Sequence, residues 1–227
     1  MTYRSNADLG GRADPRAVIP EPEGELFHAP WEPRVLALTV AMGATGLWNI
    51  DQSRAARETL ANYADLTYYE IWLAGLEKLL LECGAVQPRE LREGHALQGA
   101  IPMSRKLEAG AVATVLARGS PVSRRTSRPQ RFTVGQAVRT RADRPDHHTR
   151  LPAYAGGKRG IIERVHGAHV FADAQAQGLG EQPHWLYTVV FTAEELWAEP
   201  VTPNAPRHVS VDAHVSVDAW EPYLEPA

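Results

Sequence analysis

The stretch FTVGQAVRTRA, residues 132–142, alternates apolar and polar positions, a period of two. That is the pattern of a half-buried strand, and nothing like it occurs earlier in the chain. This change of period makes the chain α+β and separates two architectures. Downstream, GKRGIIERVHGAHVFA (157–172) reads as a glycine-punctuated hairpin, WLYTVVF (185–191) as a β-rich run, and VSVDAWEPYLE (215–225) as a final strand. Four or five short strands in fewer than a hundred residues fit a small SH3-like β-barrel over 132–227. GLGEQP (178–183) reads as a bend between strands. HVSVDA occurs twice in tandem, at 208–213 and 214–219, a local duplication that lengthens the loop before the last strand.

Upstream, residues 98–131 read as a linker, because GSPVSRRTSRPQR (119–131) is rich in Ser, Pro and Arg with almost no apolar content. From 34 to 97 the period is helical. Asp51 is read as the N-cap of a helix carrying Ala55, Ala56 and Leu60. In YYEIWLAGLEKLLLECG (68–84), Tyr68, Ile71, Trp72, Gly75, Leu76, Leu79, Leu80 and Cys83 recur at spacings of three and four, forming one broad apolar stripe. Gly84 ends it as a C-cap glycine does, and Pro88 suits the first turn of a following helix. Residues 1–33 hold five prolines with little periodicity, so they cannot form a core of their own. They are either disordered or an extended arm laid over a partner, and Leu26, Phe27 and Trp31 favour the arm.

The 227 residues are 44% hydrophobic, enough for a real core, and the formal net charge of −3 provides no global field for nucleic acid. No run approaches the roughly 18 apolar residues of a membrane span. The start lacks the apolar core of a signal peptide. A single cysteine, Cys83, excludes an internal disulfide framework and a thiolate zinc cluster; on a helix stripe it reads as a small buried hydrophobe. These features point to a soluble cytoplasmic protein.

Nucleotide-binding fingerprints of the GxxxxGK[ST] and GxGxxG kinds are absent at any strand–helix junction. PDHHTRLPAYAGGKRG (145–160) places Asp146, His147 and His148 in a row. Neighbouring side chains on an extended segment point to opposite faces, so this is a poor metal site. Arg54 is more unusual, because a cation in a helix's first turn meets the unfavourable end of the dipole. Tyr68, Tyr69 and Trp72 gather at the start of the next helix, where core packing is the plainest reading. An isolated Arg150 in a basic loop reads as solvent-exposed.

Taken in order, SNADLGGRADP, EGELFHAPWEPR, DQSRAARETL, LTYYEIWLAGLEKLL, HTRLPAYAGGKRGII, GLGEQPHWLYTVVFTAEELW and DAWEPYL closely resemble the nitrile hydratase β subunit across almost the whole chain. The resemblance implies an extended N-terminal arm, a helical domain and a small SH3-like barrel. It implies an enzyme that hydrates small nitriles to amides as an αβ or α2β2 assembly. The metal, non-haem iron or non-corrinoid cobalt, is then held by the partner α subunit, in a loop with two cysteines oxidised to sulfinic and sulfenic acids. This chain has no such loop, so no metal ligand is assigned to it. DQSRAARETL and YYEIWLAGLEKLL look more like iron-type members.

Within the resemblance, Arg54 and Arg150 match two arginines that hydrogen-bond the oxidised cysteine oxygens. A planar guanidinium fork suits such buried anions. Tyr68 matches a pocket tyrosine, Trp72 a pocket aromatic, and Ile50 a pocket position of varying bulk; Tyr69 joins them as a substrate-binding candidate. Ile71 stands where relatives commonly have histidine, and Ala37, Ala41 and Ala44 occupy a segment that is often bulkier. Two alternatives are a subunit of a thiocyanate hydrolase-like enzyme and a metal-delivery or activator protein.

Overall fold

The structure, a computed structural model, describes residues 5–8, 17, 19–197 and 214–227. It divides into two compact units that part between Ser120 and Pro121, with residues 8–11 counted in the second.

The first unit is helical. Its elements are α1 (Glu32–Ala44), α2 (Ile50–Glu58), α3 (Tyr68–Glu82), α4 (Pro88–Glu93) and α5 (Val112–Arg118). The apolar stripe of α3 packs against both α1 and α2, and Val35, Ala56, Leu76 and Leu79 are buried there. Thr67 precedes α3, and its N–H donates to Glu70 Oε2 at 2.8 Å, satisfying a donor at the open end of the helix. The stripe ends where expected: Cys83 is the C-cap, half-buried, and Gly84 follows at φ +70°. Pro88 opens α4 in the first turn. The N-cap of α2 is Asn49, not Asp51. Asn49 Oδ1 accepts from Asp51 N at 3.0 Å and Gln52 N at 2.9 Å, while Gln52 Oε1 accepts from Asn49 N at 2.9 Å. The reciprocal pair outcompetes a lone aspartate two residues on. α5 lies within the stretch read as linker.

The second unit carries an antiparallel sheet of β1 (Ser123–Arg124), β2 (Ala137–Thr140), β3 (Arg159–His169), β4 (His184–Thr192), β5 (His214–Trp220) and β6 (Leu224–Pro226). The order is β5-β4-β3-β2-β6, with β1 pairing β3 off that path. Two short helices, α6 (Ala172–Ala176) and α7 (Ala193–Trp197), flank β4 in the chain. The alternation of β2 places Val138 and Thr140 inward, onto a core of Phe132, Ile162, Tyr187, Val189, Phe191, Val217 and Leu224.

The hairpin expected over 157–172 is one long strand instead. Gly167, at φ +88°, sits where the β3–β4 register shifts between Val165 and Gly167, so it makes a bulge and not a turn. Gly160 has a different reason: a Cβ there would lie 2.6 Å from Val189 Cγ1 and 2.8 Å from Val190 O. The final strand is interrupted by a 3-10 turn at Glu221–Tyr223, which separates β5 from β6. The second HVSVDA copy begins β5; the first lies outside the described residues, as does most of the arm before residue 17.

Candidate functional site

In the helical unit the candidates lie on two packed helices. Asn49 fixes the first turn of α2 and thereby sets Asp51 and Arg54 on one face, three residues apart. Arg54 Nη1 donates to Asp51 Oδ1 at 2.8 Å; the Asp51 side chain is 4% exposed and that of Arg54 41%. The carboxylate offsets both the cation and the positive end of the helix, which answers why an arginine is tolerated there. It also holds one edge of the guanidinium, while the side chain as a whole stays partly exposed. Ile50 and Tyr68, 46% and 63% exposed, are apolar or amphipathic groups left uncovered on α2 and α3.

Tyr68, Tyr69 and Trp72 form one cluster. Ring centroids are 5.1 Å apart for Tyr68–Tyr69, 5.5 Å for Tyr68–Trp72 and 6.2 Å for Tyr69–Trp72, and Phe27 adds a fourth ring 5.5 Å from Tyr69. Such edge and tilted contacts hold the rings in fixed orientations. Arg57 was not singled out in the sequence. Its guanidinium carbon lies 4.9 Å from the Trp72 ring centre, and its Nε donates to Ser53 O at 3.2 Å. Burial first, and then the Arg54 charge, hold Arg57 below the ordinary guanidinium pKa. The close seating depends on Gly75: a Cβ there would stand 2.4 Å from Arg57 Cγ.

In the sheet unit, Arg150 lies in the segment between β2 and β3. Its N–H donates to Tyr223 Oη at 3.1 Å. Tyr223 Oη in turn makes a short bond to Asp173 Oδ1. Asp173, 3% exposed, also takes a bond from the Thr149 side chain, and His147 Nδ1 lies 3.8 Å from its Oδ2. Burial pushes the Asp173 carboxyl up from the usual aspartate value, opposed by Tyr223, Thr149 and the two histidines. Burial, and then Asp173, drive the Tyr223 phenol above its ordinary range. The two histidines differ: His147 is half-buried with Nδ1 2.9 Å from His148 O, while His148 is buried. Among the described residues, no group of three or more His, Cys, Asp or Glu side chains could hold a metal ion.

The helical unit thus brings Ile50, Arg54, Tyr68, Tyr69 and Trp72 onto adjoining helices, and Arg150 belongs to the sheet unit. Asp51 was read only as a cap, and Asp173 and Tyr223 were not read as polar partners. Their bonds to the candidates include long sequence separations that no local pattern reveals.

Models of the nitrile hydratase beta subunit match residues 3–120 with the family's N-terminal part and 121–226 with its C-terminal part. The chain belongs to the nitrile hydratase beta subunit family. The join between the two matches coincides with the boundary between the structural units. Relatives include the low-molecular weight cobalt-containing nitrile hydratase subunit beta of Rhodococcus rhodochrous, 36% identical over 97% of this chain and 98% of that one. The nitrile hydratase subunit beta of Pseudomonas putida is 35% identical over 97% of this chain and 98% of its own length. Thiocyanate hydrolase subunit alpha of Thiobacillus thioparus is 37% identical, over only 30% of this chain and 55% of that one. No helix among the described residues is long and apolar enough to cross a membrane.

Proposed function

We propose that this chain completes the active site of a nitrile hydratase, converting R–C≡N to R–CO–NH₂, by supplying donors and a pocket wall to a metal centre carried by an α subunit. The observation that carries this is Arg54: a guanidinium 41% exposed, braced at Nη1 by a nearly buried Asp51, beside exposed Ile50 and Tyr68. A guanidinium has five N–H donors, so one carboxylate leaves donors for a second anion. Sulfinate and sulfenate oxygens at a subunit interface need such donors, because a buried unpaired anion costs several kcal/mol, roughly. The residues therefore suit the oxidised-cysteine metal loop that the family implies for the partner.

The metal, iron or cobalt, supplies Lewis-acid activation when bound by the α subunit. Arg54 and Arg150 donate to the oxidised cysteine oxygens and keep them ionised and oriented. Tyr68 presents its hydroxyl to the nitrile, while Ile50, Tyr69 and Trp72 form the pocket wall. Assembly is αβ or α2β2, and the complex is cytoplasmic. In the sheet unit, the bend that two register shifts give β3 supports an SH3-like barrel.

The test is reconstitution with the α subunit. Amide formation from a small nitrile is expected only with both chains present. Thiocyanate turnover without nitrile hydration would favour the thiocyanate hydrolase reading, and activity from this chain alone would sink the proposal.

A further inference from the structure

Tyr223 and Asp173 tie the Arg150 segment to later elements of the chain. We infer that they are positioning residues for Arg150: the Tyr223 hydroxyl, oriented by Asp173, fixes the backbone from which the Arg150 guanidinium is presented to the partner subunit. The inference rests on the proposed role of Arg150.

Three observations carry it. A phenol hydroxyl has one hydrogen and can accept as well. Here it accepts from Arg150 N at 3.1 Å and gives its own hydrogen to Asp173 Oδ1. Each bond therefore fixes the direction of the other. Next, the hydroxyl is not needed for packing. The Tyr223 ring already sits 5.7 Å from Phe171 and 6.1 Å from Trp220, centre to centre, and phenylalanine would make the same ring contacts. Finally, Asp173 is a carboxyl at 3% exposure in a small unit, and burying such a group is unfavourable unless its bonds offset the lost hydration. Its bonds go to the segment around Arg150: to the Thr149 side chain, and through Tyr223 to the Arg150 amide. Tyr223 lies in the 3-10 turn between β5 and β6, 73 residues from Arg150, so the chain's last strands hold a segment laid down before β3. A displacement of about 1 Å at a group that orients reacting atoms can cost about a hundredfold in rate.

The test uses the assembled αβ complex. Tyr223→Phe removes the hydroxyl and keeps the ring. It is expected to lower kcat about tenfold with KM changed less than about twofold, and to raise amide exchange of the peptide holding Arg150 about tenfold. Assembly and metal content of the complex should be unchanged. Asp173→Asn keeps an acceptor oxygen and should lose less than about threefold, whereas Asp173→Leu should match Tyr223→Phe. Combining Tyr223→Phe with Arg150→Lys should cost nothing beyond Arg150→Lys alone, because both act through one guanidinium. Unchanged exchange at Arg150, fully multiplicative losses, or equal losses for Asp173→Asn and Asp173→Leu would each overturn the inference. Should Arg150→Lys itself retain normal turnover, the proposed role of Arg150 fails. Raised exchange with unchanged kcat in Tyr223→Phe would then show a held backbone without a catalytic task, which also contradicts the inference.

Discussion

Replacing Gly75 by alanine should destabilise the protein in one background and stabilise it in another. A helix interior ordinarily gains about 0.8–1 kcal/mol from Gly→Ala. At position 75 the new Cβ would stand 2.4 Å from Arg57 Cγ, about 1 Å inside normal contact, and Cγ belongs to the stem of that side chain. Arg57 would have to leave. Its departure forfeits the stacking on Trp72, about 0.5–2 kcal/mol, and the bond to Ser53 O, about 1 kcal/mol. With the propensity gain set against these losses and the disturbed packing of α2 on α3, the net expectation is a loss of about 1–2 kcal/mol. At about 2–4 °C per kcal/mol for a chain of this size, thermal unfolding of the αβ complex should shift down by about 2–8 °C. In an Arg57→Ala background the obstruction is gone, and the same substitution should stabilise by about 0.5–1 kcal/mol. If Gly75→Ala shifts stability in the same direction in both backgrounds, the seating of Arg57 on Gly75 and Trp72 is wrong.

Three further outcomes are expected. Asn49→Ala removes the reciprocal cap of α2 and should cost about 1 kcal/mol by denaturant titration, while Asn49→Asp stays close to wild type; equal losses would deny the cap. Burial first, then the Arg128 charge, hold His184 below the ordinary imidazole range, with Glu221 opposing. Its neutral form is thus favoured by folding, and its contribution, present above the unfolded value of about 6.5, is lost as pH falls through the depressed folded value. His184→Asn should therefore reduce the drop in melting temperature on acidification, and an unchanged slope would refute this. Expressed without its α subunit the chain should self-associate by light scattering, since Leu26 and Tyr68 are 75% and 63% exposed; a monodisperse monomer would contradict this.

The helical unit was largely legible because its signals are local. The spacing of Gly75, Leu76 and Leu79 marks the buried side of α3, and Gly84 follows its C-cap. The start of α2 was misread because Asn49 and Asp51 are both good caps; Gln52, three residues after Asn49, was the deciding neighbour. In the sheet, the hairpin reading of 157–172 failed because a glycine at positive φ, here Gly167, serves a bulge as well as a turn, and only the pairing with β4 separates the two. The family motif around Trp220 and Tyr223 was visible as a string of letters. Its physical content, a hydroxyl between Arg150 and Asp173, was not, because those bonds span 73 and 50 residues. The stacking of Arg57 on Trp72 likewise depends on how two helices meet, and neither residue's local pattern contains that.

The most direct test of the central claim is the turnover of the reconstituted αβ complex carrying Arg54→Lys or Arg150→Lys. Lysine keeps the charge and loses the planar fork, so one ammonium cannot hold two oxygens in fixed geometry. Each variant should lose nearly as much activity as the corresponding alanine, about thirty- to a thousandfold, the equivalent of roughly 2–4 kcal/mol. The complexes should still assemble, and Arg144→Lys, at an exposed position in the same segment, should change little. Near-normal turnover in both Arg54→Lys and Arg150→Lys would show that neither guanidinium grips the partner's oxidised cysteines.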